Sequence, residues 1–385
     1  MSRKTKVALL INMISPARIS LYSCLADAFE LLILHGGTER NRDSWRGFEN
    51  ALPAATVTRA WGWQVPFARR QKGQAFDEQY LHVNPGHLWQ LFKFHPDVVV
   101  TSEMGVRTLF ALIYGTLFRK PVWVWWGGTV YTESKKAGFL KRFLRSILAR
   151  WAQHWISYGK SSTEYLLTLG ISRRQILEIQ NTADERYFRT AARPHFELQP
   201  RPVLLYVGQF IGRKGVDLFL RAAAALQDEG LKFSLLLVGN GRDKPAAERL
   251  ANNLGLAATQ FHPSQPPQLM LGVYRSADVL VFPTLEDPWG LVANEAILAG
   301  VPVLCSKYAG CAEELFSPES IFDPLKPHEF RGKLRVAIAG ALPAPDLSRL
   351  RTTSQVASAL ITALENSVGR KSSPLAESGR LTASD

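Results

Sequence analysis

Residues 279–306 read VLVFPTLEDPWGLVANEAILAGVPVLCS. An apolar run ends at Pro283, and a polar loop follows with Glu286 and Asp287. Gly290 opens a helical stretch that runs to about Ala299, Gly300 stops it, and a second apolar run, VPVLCS, comes next. Strand, helix and strand this close together predict a βαβ unit, and hence a parallel sheet. The first amides of that helix, at Gly290, Leu291 and Val292, have no preceding turn to bond to. They also carry the positive end of the helix dipole, so they invite an anion.

The same pattern repeats outward in both directions. In the second half the other strand candidates are PVLLYV (202–207), FSLLLV (233–238) and DVLVFP (278–283), with helices near 216–228, 244–254, 266–276 and 291–299. In the first half they are VALLIN (7–12), ELLILH (30–35), DVVVT (97–101), PVWVWW (121–126) and HWISY (154–158), with helices near 18–28, 104–118, 137–152 and 161–169. Short continuous apolar runs suit strands covered by helices on both faces. The expected fold is therefore α/β, with two Rossmann-like, doubly wound parallel-sheet domains facing an interdomain cleft. The expected boundaries are 1–189 for the N-terminal domain, 190–201 for a proline-containing linker and 202–366 for the C-terminal domain. Polar residues 367–385 are expected to form a disordered tail.

The chain has 385 residues and a formal net charge of +13, with 46% hydrophobic and 21% charged residues. That composition excludes a disordered chain, a coiled coil and a collagen-like fibre. Residues 1–190 hold 26 Lys and Arg against 14 Asp and Glu, whereas the rest is nearly balanced. The basic first half is expected to meet something acidic. Three cysteines with no C-x-x-C pair argue against a disulfide framework or zinc ribbon, so a reducing, cytoplasmic setting is expected. No apolar run reaches the ~18 residues of a spanning helix.

Two further segments bear on ligands. In YVGQFIGRKGVDLFL (206–220) a strand ends at Val207, Gly208 and Gln209 follow, and Arg213 and Lys214 sit just before a helix. A cation beside a helix N-terminus suits phosphate, although a plain strand-to-helix turn with a solvated lysine reads the same way. In LLLVGNGRD (235–243), Gly239 and Gly241 let a ligand or another chain come close to the backbone, but no G-x-G-x-x-G follows, which disfavours a dinucleotide site. Asp287 and Glu295 can face one pocket, one from the loop and one from inside the helix. An anion site between two carboxylates suits a nucleotide sugar. The backbone takes the diphosphate, Glu295 the ribose hydroxyls and Asp287 the sugar. Each carboxylate alone is equally consistent with an exposed helix residue or a turn residue.

Taken together, Gly208 with Lys214–Gly215, then V-G-x-G, then a strand ending in proline followed by D-P-W-G-L-x-x-x-E-A, resemble the retaining GT-B glycosyltransferases of family 4. The resemblance covers about 202–316 closely and the first half more loosely. It implies that Lys214 contacts the donor diphosphate, that Glu295 binds the ribose, and that the acidic position before the proline lies by the donor sugar. That position is Asp287 rather than Glu, and Gln209 stands where the family often has arginine. Arg213 is a candidate substitute. Asp287 and Lys214 are the expected catalytic residues. Gly208, Gln209, Arg213, Gly239, Phe261, His262, Gly290, Leu291, Val292 and Glu295 complete the expected donor site. No D-x-D metal motif is present, and the resemblance implies a metal-independent enzyme that balances leaving-group charge with lysine and helix dipoles.

The first half is expected to hold the acceptor. WWGGTVYTE (125–133) follows a buried strand, so Gly127, Gly128 and Thr129 are candidates, as is Glu103 in TSEMG. A buried structural glutamate would fit Glu103 equally well. Arg18 could meet an acceptor phosphate or lie in solvent. AGFLKRFLRSILARWAQHW (137–155) is a basic amphipathic helix. Its apolar stripe is expected to pack on its own domain and its basic face to meet an anionic membrane. The expected function is transfer of a sugar from a nucleoside diphosphate to a saccharide acceptor, lipid-linked, with peripheral contact at the inner membrane face. A sugar-nucleotide 2-epimerase and a non-catalytic membrane-associated binding protein are the alternatives. Nucleic acid is not an expected partner, since no recognition motif accompanies the basic residues.

Overall fold

The computed structural model describes residues 3–37, 45, 47–71, 74–133, 139–188 and 191–369. The N-terminal part contains β1 (Lys6–Ile11), α1 (Ile19–Ala28), β2 (Glu30–His35), β3 (Thr56–Arg59), β4 (Trp63–Gln71), β5 (Gln74–Val83), α2 (Gly86–Phe94) and β6 (Val98–Ser102). It continues through α3 (Val106–Phe118), β7 (Val122–Trp126), α4 (Val130–Glu133), α5 (Phe139–Trp151), β8 (His154–Tyr158), α6 (Gly159–Thr168) and β9 (Ile176–Ile179). The second part contains β10 (Val203–Val207), α7 (Val216–Asp228), β11 (Ser234–Val238), α8 (Lys244–Asn253), β12 (Thr259–His262), α9 (Met270–Arg275) and β13 (Val279–Phe282). It ends with α10 (Leu291–Ala299), β14 (Val303–Ser306), α11 (Ala312–Leu315), β15 (Ile321–Phe322), α12 (Pro327–Ile338) and α13 (Thr353–Gly369).

Two parallel sheets form, in the orders β3-β2-β1-β6-β7-β8-β9 and β12-β11-β10-β13-β14-β15. The order reverses between β1 and β6 in the first sheet and between β10 and β13 in the second. In open α/β sheets ligands bind in the crevice outside the carboxyl ends of the strands at such a switch point. Both crevices hold candidate residues: Arg18 and Glu103 in the first, residues 208–215 and 283–290 in the second. Burial on both sheet faces follows from strand alternation. Val7, Leu9 and Ile11 join the core under α1, while Ala8 and Leu10 join the core under α2, α3 and α6.

Three features depart from the expected order. First, β4 and β5 form an antiparallel hairpin between β3 and α2, and β5 packs against the Gly212–Lys214 turn of the other domain. Second, α13 returns to the first domain. Val356, Leu360 and Leu364 pack with Val7 and Leu9, and Trp123 Nε1 donates to Ser367 Oγ at 3.2 Å. The C-terminal domain therefore stops before Thr353 rather than at 366, because the apolar stripe of α13 is buried against α1. Residues 367–369 still belong to this helix, and the rest of the expected tail lies outside the described residues. Third, the linker is docked. The His195 amide donates to the Gly272 carbonyl at 3.0 Å, and Leu198 is buried.

The facing of α5 also differs from the expectation. Arg145, Leu148, Ala149 and Ala152 point inward, whereas Phe143, Leu144 and Ile147 are exposed. Arg145 sets this phase. Its guanidinium stacks over Trp126 at 4.9 Å, bonds Tyr165 Oη at 2.8 Å and pairs with Glu133 at 2.6 Å. The apolar stripe is thus split between core and surface. Lys135, Lys136, Lys141 and Arg142 lie outside the described side chains.

Candidate functional site

The turn before α7 and the loop before α10 are built as one unit. Gly215 has φ +66°, and a Cβ there would lie 2.2 Å from the Pro283 carbonyl oxygen. The Leu285 amide donates to the Arg213 carbonyl at 2.8 Å, and Arg213 Nη1 donates to the Glu286 carbonyl at 3.1 Å. This close docking brings the Lys214 ammonium onto Asp287 Oδ2 in an ion pair whose side chains are each only 13% exposed. Asp287 Oδ1 accepts from the Trp289 amide at 3.1 Å, and its backbone bonds Tyr308 and Gly310. Burial pushes the Asp287 carboxyl up, but Lys214 and Arg213 outweigh it and hold the group below its usual range. Lys214 is therefore not an isolated cation, since its charge is shared with Asp287.

Gly290 stands at the start of α10 with φ +101°, and a Cβ there would meet the Phe282 ring at 2.4 Å. The amides of Leu291 and Val292 begin the helix beside Asp287. Glu295, one turn in, accepts from Tyr274 Oη at 2.7 Å. Burial raises its carboxyl to about 7, and the Tyr274 hydroxyl offsets part of that rise. Gly208 and Gly239 lie on adjacent strand ends, where the Gly208 amide donates to the Val238 carbonyl at 3.0 Å. The Gln209 carbonyl accepts from Tyr206 Oη at 2.7 Å. His262 is stacked on Phe196 of the linker at 4.0 Å, and Phe261 packs against Phe210 at 5.9 Å. The second crevice thus gathers Gly208, Gln209, Arg213, Lys214, Asp287, Gly290 and the start of α10.

In the first crevice Glu103 is exposed, which overturns the buried structural alternative. It adopts φ +68°, Asn12 Nδ2 lies 3.1 Å from both carboxylate oxygens, and Arg107 Nη2 is 3.6 Å away. A non-glycine residue at such a φ is held there by its surroundings, a form of strain that gathers at working sites. Arg18 is buried, not in solvent. It lies 4.8 Å from both the Trp125 and Tyr158 rings, and Nη1 has no hydrogen-bond partner. Thr129 is fully buried and its hydroxyl accepts from the Thr132 amide at 3.2 Å, so it caps α4 rather than offering itself to a ligand. A Cβ at Gly127 would meet the Tyr158 ring, and one at Gly128 the Trp126 ring. Both glycines answer to packing within the domain.

The two walls touch at their edges. Tyr131 meets Tyr308 edge-to-face at 5.3 Å, and the Lys160 amide donates to Glu314 Oε1 at 2.6 Å. Tyr274, Tyr308, Glu314 and the Arg145–Glu133 pair were not legible in sequence, because each meets its partner through tertiary packing. A buried tyrosine hydroxyl needs a partner, but nothing local identifies Glu295 as that partner. Among the described residues no three His, Cys, Asp or Glu side chains gather to hold a metal ion, and no helix is long and apolar enough to cross a membrane.

Residues 188–344 match the family model described as glycosyl transferases group 1. The D-inositol 3-phosphate glycosyltransferase of Nocardia farcinica is 38% identical over 131 residues, which is 32% of this chain and 29% of that protein. The chain therefore spans less than a third of that relative's length. HepE from Anabaena, in complex with UDP, superposes with a TM-score of 0.65 at 16% identity over 95% of this chain and 98% of its own. Sucrose-phosphate synthase from Thermosynechococcus elongatus gives 0.64 at 18% identity over 95% and 97%. Over residues 188–344 the chain is thus similar to the group 1 glycosyl transferases, and its two-domain architecture is the GT-B fold.

Proposed function

We propose that this chain is a retaining glycosyltransferase that takes a nucleoside-diphosphate sugar in the second crevice and a saccharide acceptor in the first. The observation that carries the reading is the joined 212–215 and 284–295 unit. It sets a cation, a carboxylate and a helix N-terminus side by side where one family model matches. Glu295 accepts from the ribose hydroxyls, and the α10 amides with Lys214 take the diphosphate. Binding an anion draws Lys214 partly off Asp287, which leaves Asp287 to orient the sugar. No metal is required, because lysine, arginine and the helix dipole balance the leaving charge. On the acceptor side Glu103 orients a hydroxyl and Arg18 a phosphate of the acceptor. The lipid-linked acceptor, the role in cell-surface polysaccharide or glycolipid synthesis and the peripheral membrane contact are parts of this proposal.

The test is calorimetry with UDP-, GDP- and dTDP-sugars, followed by transfer assays. Lys214→Ala and Glu295→Ala are expected to lose donor binding and transfer while the protein stays folded. Full activity in both variants would overturn the site assignment. Binding of no donor at all would favour a non-catalytic role.

A further inference from the structure

The helices α2, α3, α5 and α6 cover one face of the first sheet, and the outer side of its α2–α3–α5 part carries a run of exposed apolar side chains, whereas α6 exposes Lys160 and Glu164. On α3 the buried positions include Arg107, Thr108, Ala111, Leu112 and Tyr114. That phase turns Leu109, Ile113 and Leu117 outward, with Leu117 64% exposed. The neighbouring α5 turns Phe143 and Ile147 outward, and α2 adds Trp89, also 64% exposed. The one ionisable cation of α3, Arg107, bonds Asn12 and Ser102 on the inner side. The exposed stripe of α3 thus carries no ionisable side chain. A helix face that meets only water normally does.

Charge identifies what covers it. Residues 86–160 contain eleven Lys and Arg against three Asp and Glu. All three acids are engaged by cations: Asp97 by Lys120 at 3.0 Å, Glu103 by Arg107 at 3.6 Å and Glu133 by Arg145 at 2.6 Å. Lys93, Arg119 and Arg150 stand exposed at or just past the C-terminal ends of α2, α3 and α5. Apolar side chains bordered by cations match a bilayer with anionic headgroups, which supplies an apolar interior and negative charge at one boundary. A second copy of this chain would set the same cations against each other.

We propose that the outer face of the α2–α3–α5 layer is a docking surface for an anionic phospholipid bilayer. Leu109, Ile113, Leu117, Phe143, Ile147 and Trp89 enter the interface, while Lys93, Arg119 and Arg150 meet headgroups. This gives a place to the membrane contact of the proposed function and rests on that reading for its purpose. The entering groups are the apolar side chains, not the basic face of α5. Helix α3 starts three residues beyond Glu103, so the surface runs away from the edge of the acceptor crevice.

The test is co-sedimentation of the full chain with vesicles of phosphatidylglycerol and phosphatidylcholine, compared with phosphatidylcholine alone. Wild type is expected to pellet with the anionic vesicles. Leu117→Glu/Phe143→Glu, at exposed positions, is expected to bind them at least about tenfold more weakly. Arg119→Ala/Arg150→Ala is expected to weaken binding to anionic vesicles and to leave the neutral ones unchanged. Unchanged melting temperature and nucleotide binding in both variants would show that the fold and the donor site survive, so vesicle binding and the glycosyltransferase reading stand or fall separately. Wild type left in the supernatant, or both variants pelleting as wild type does, would overturn the proposal. So would a wild-type dimer that the glutamate variant splits without any vesicle binding, which would assign the surface to a second copy.

Discussion

The Lys214–Asp287 pair is the sharpest place to test the donor site. Lys214→Met keeps the apolar stem and removes the charge, which leaves Asp287 buried without its main partner. Breaking a buried pair costs roughly 3–5 kcal/mol. Each side chain here keeps 13% exposure and Arg213 lies close by, so the lower end applies, about 3 kcal/mol. For a domain of this size roughly 2–4 °C is lost per kcal/mol, so the melting temperature should fall by about 6–12 °C at neutral pH. The pH dependence has a definite sign. In wild type the Asp287 carboxyl is held below its ordinary 3.8, so its contribution is present above that value and is lost as pH falls through the lowered one. In the variant only Arg213 and the Trp289 amide still oppose burial, so the carboxyl takes up its proton at higher pH than in wild type, and the deficit shrinks on acidification. Lys214→Met/Asp287→Asn should recover most of the loss. Calorimetric melts of the three proteins from about pH 4.5 to pH 8 decide the matter. A single variant as stable as wild type at neutral pH, or a deficit of the same size at both ends, would refute the reasoning.

Three further outcomes follow from the geometry. Glu295, raised to about 7, must ionise to accept strongly from ribose hydroxyls, so donor affinity should rise with pH through about 7; titration calorimetry should show this slope flattened in Glu295→Gln and shifted upward in Tyr274→Phe. Glu103→Gln, outside the donor crevice, should leave donor binding intact and reduce transfer by about 10²–10⁴-fold if the carboxylate handles the acceptor proton; equal losses in both assays would contradict that placement. Arg145→Met should cost about 3 kcal/mol in thermal melts, because it breaks the buried ion pair with Glu133 and the bond to Tyr165 Oη.

The sequence by itself determined the repeating strand–helix units, the parallel sheets, the two-domain plan and the stretch that matches a family. These rest on short-range features: continuous apolar runs, glycines at turns, and charges fixed a few residues from a helix start. The positions of Lys214 and Asp287 just before a helix, and of Glu295 one turn inside one, were legible for that reason. Other features were decided by tertiary structure, because strand ends far apart in sequence become neighbours only at a switch point. Lys214 and Asp287 are 73 residues apart and form one pair, which turns an apparent phosphate cation into a shared charge. Thr129 looked available and is consumed as a cap, while for Arg18 the sequence left an acceptor phosphate and solvent both open, and it lies buried between two rings. Helix α13 reads as the end of the second domain and folds onto the first, since its stripe finds its partner in α1. Which face of α5 points outward depended on one buried arginine, and helical periodicity alone does not say which side of an amphipathic stripe meets the sheet.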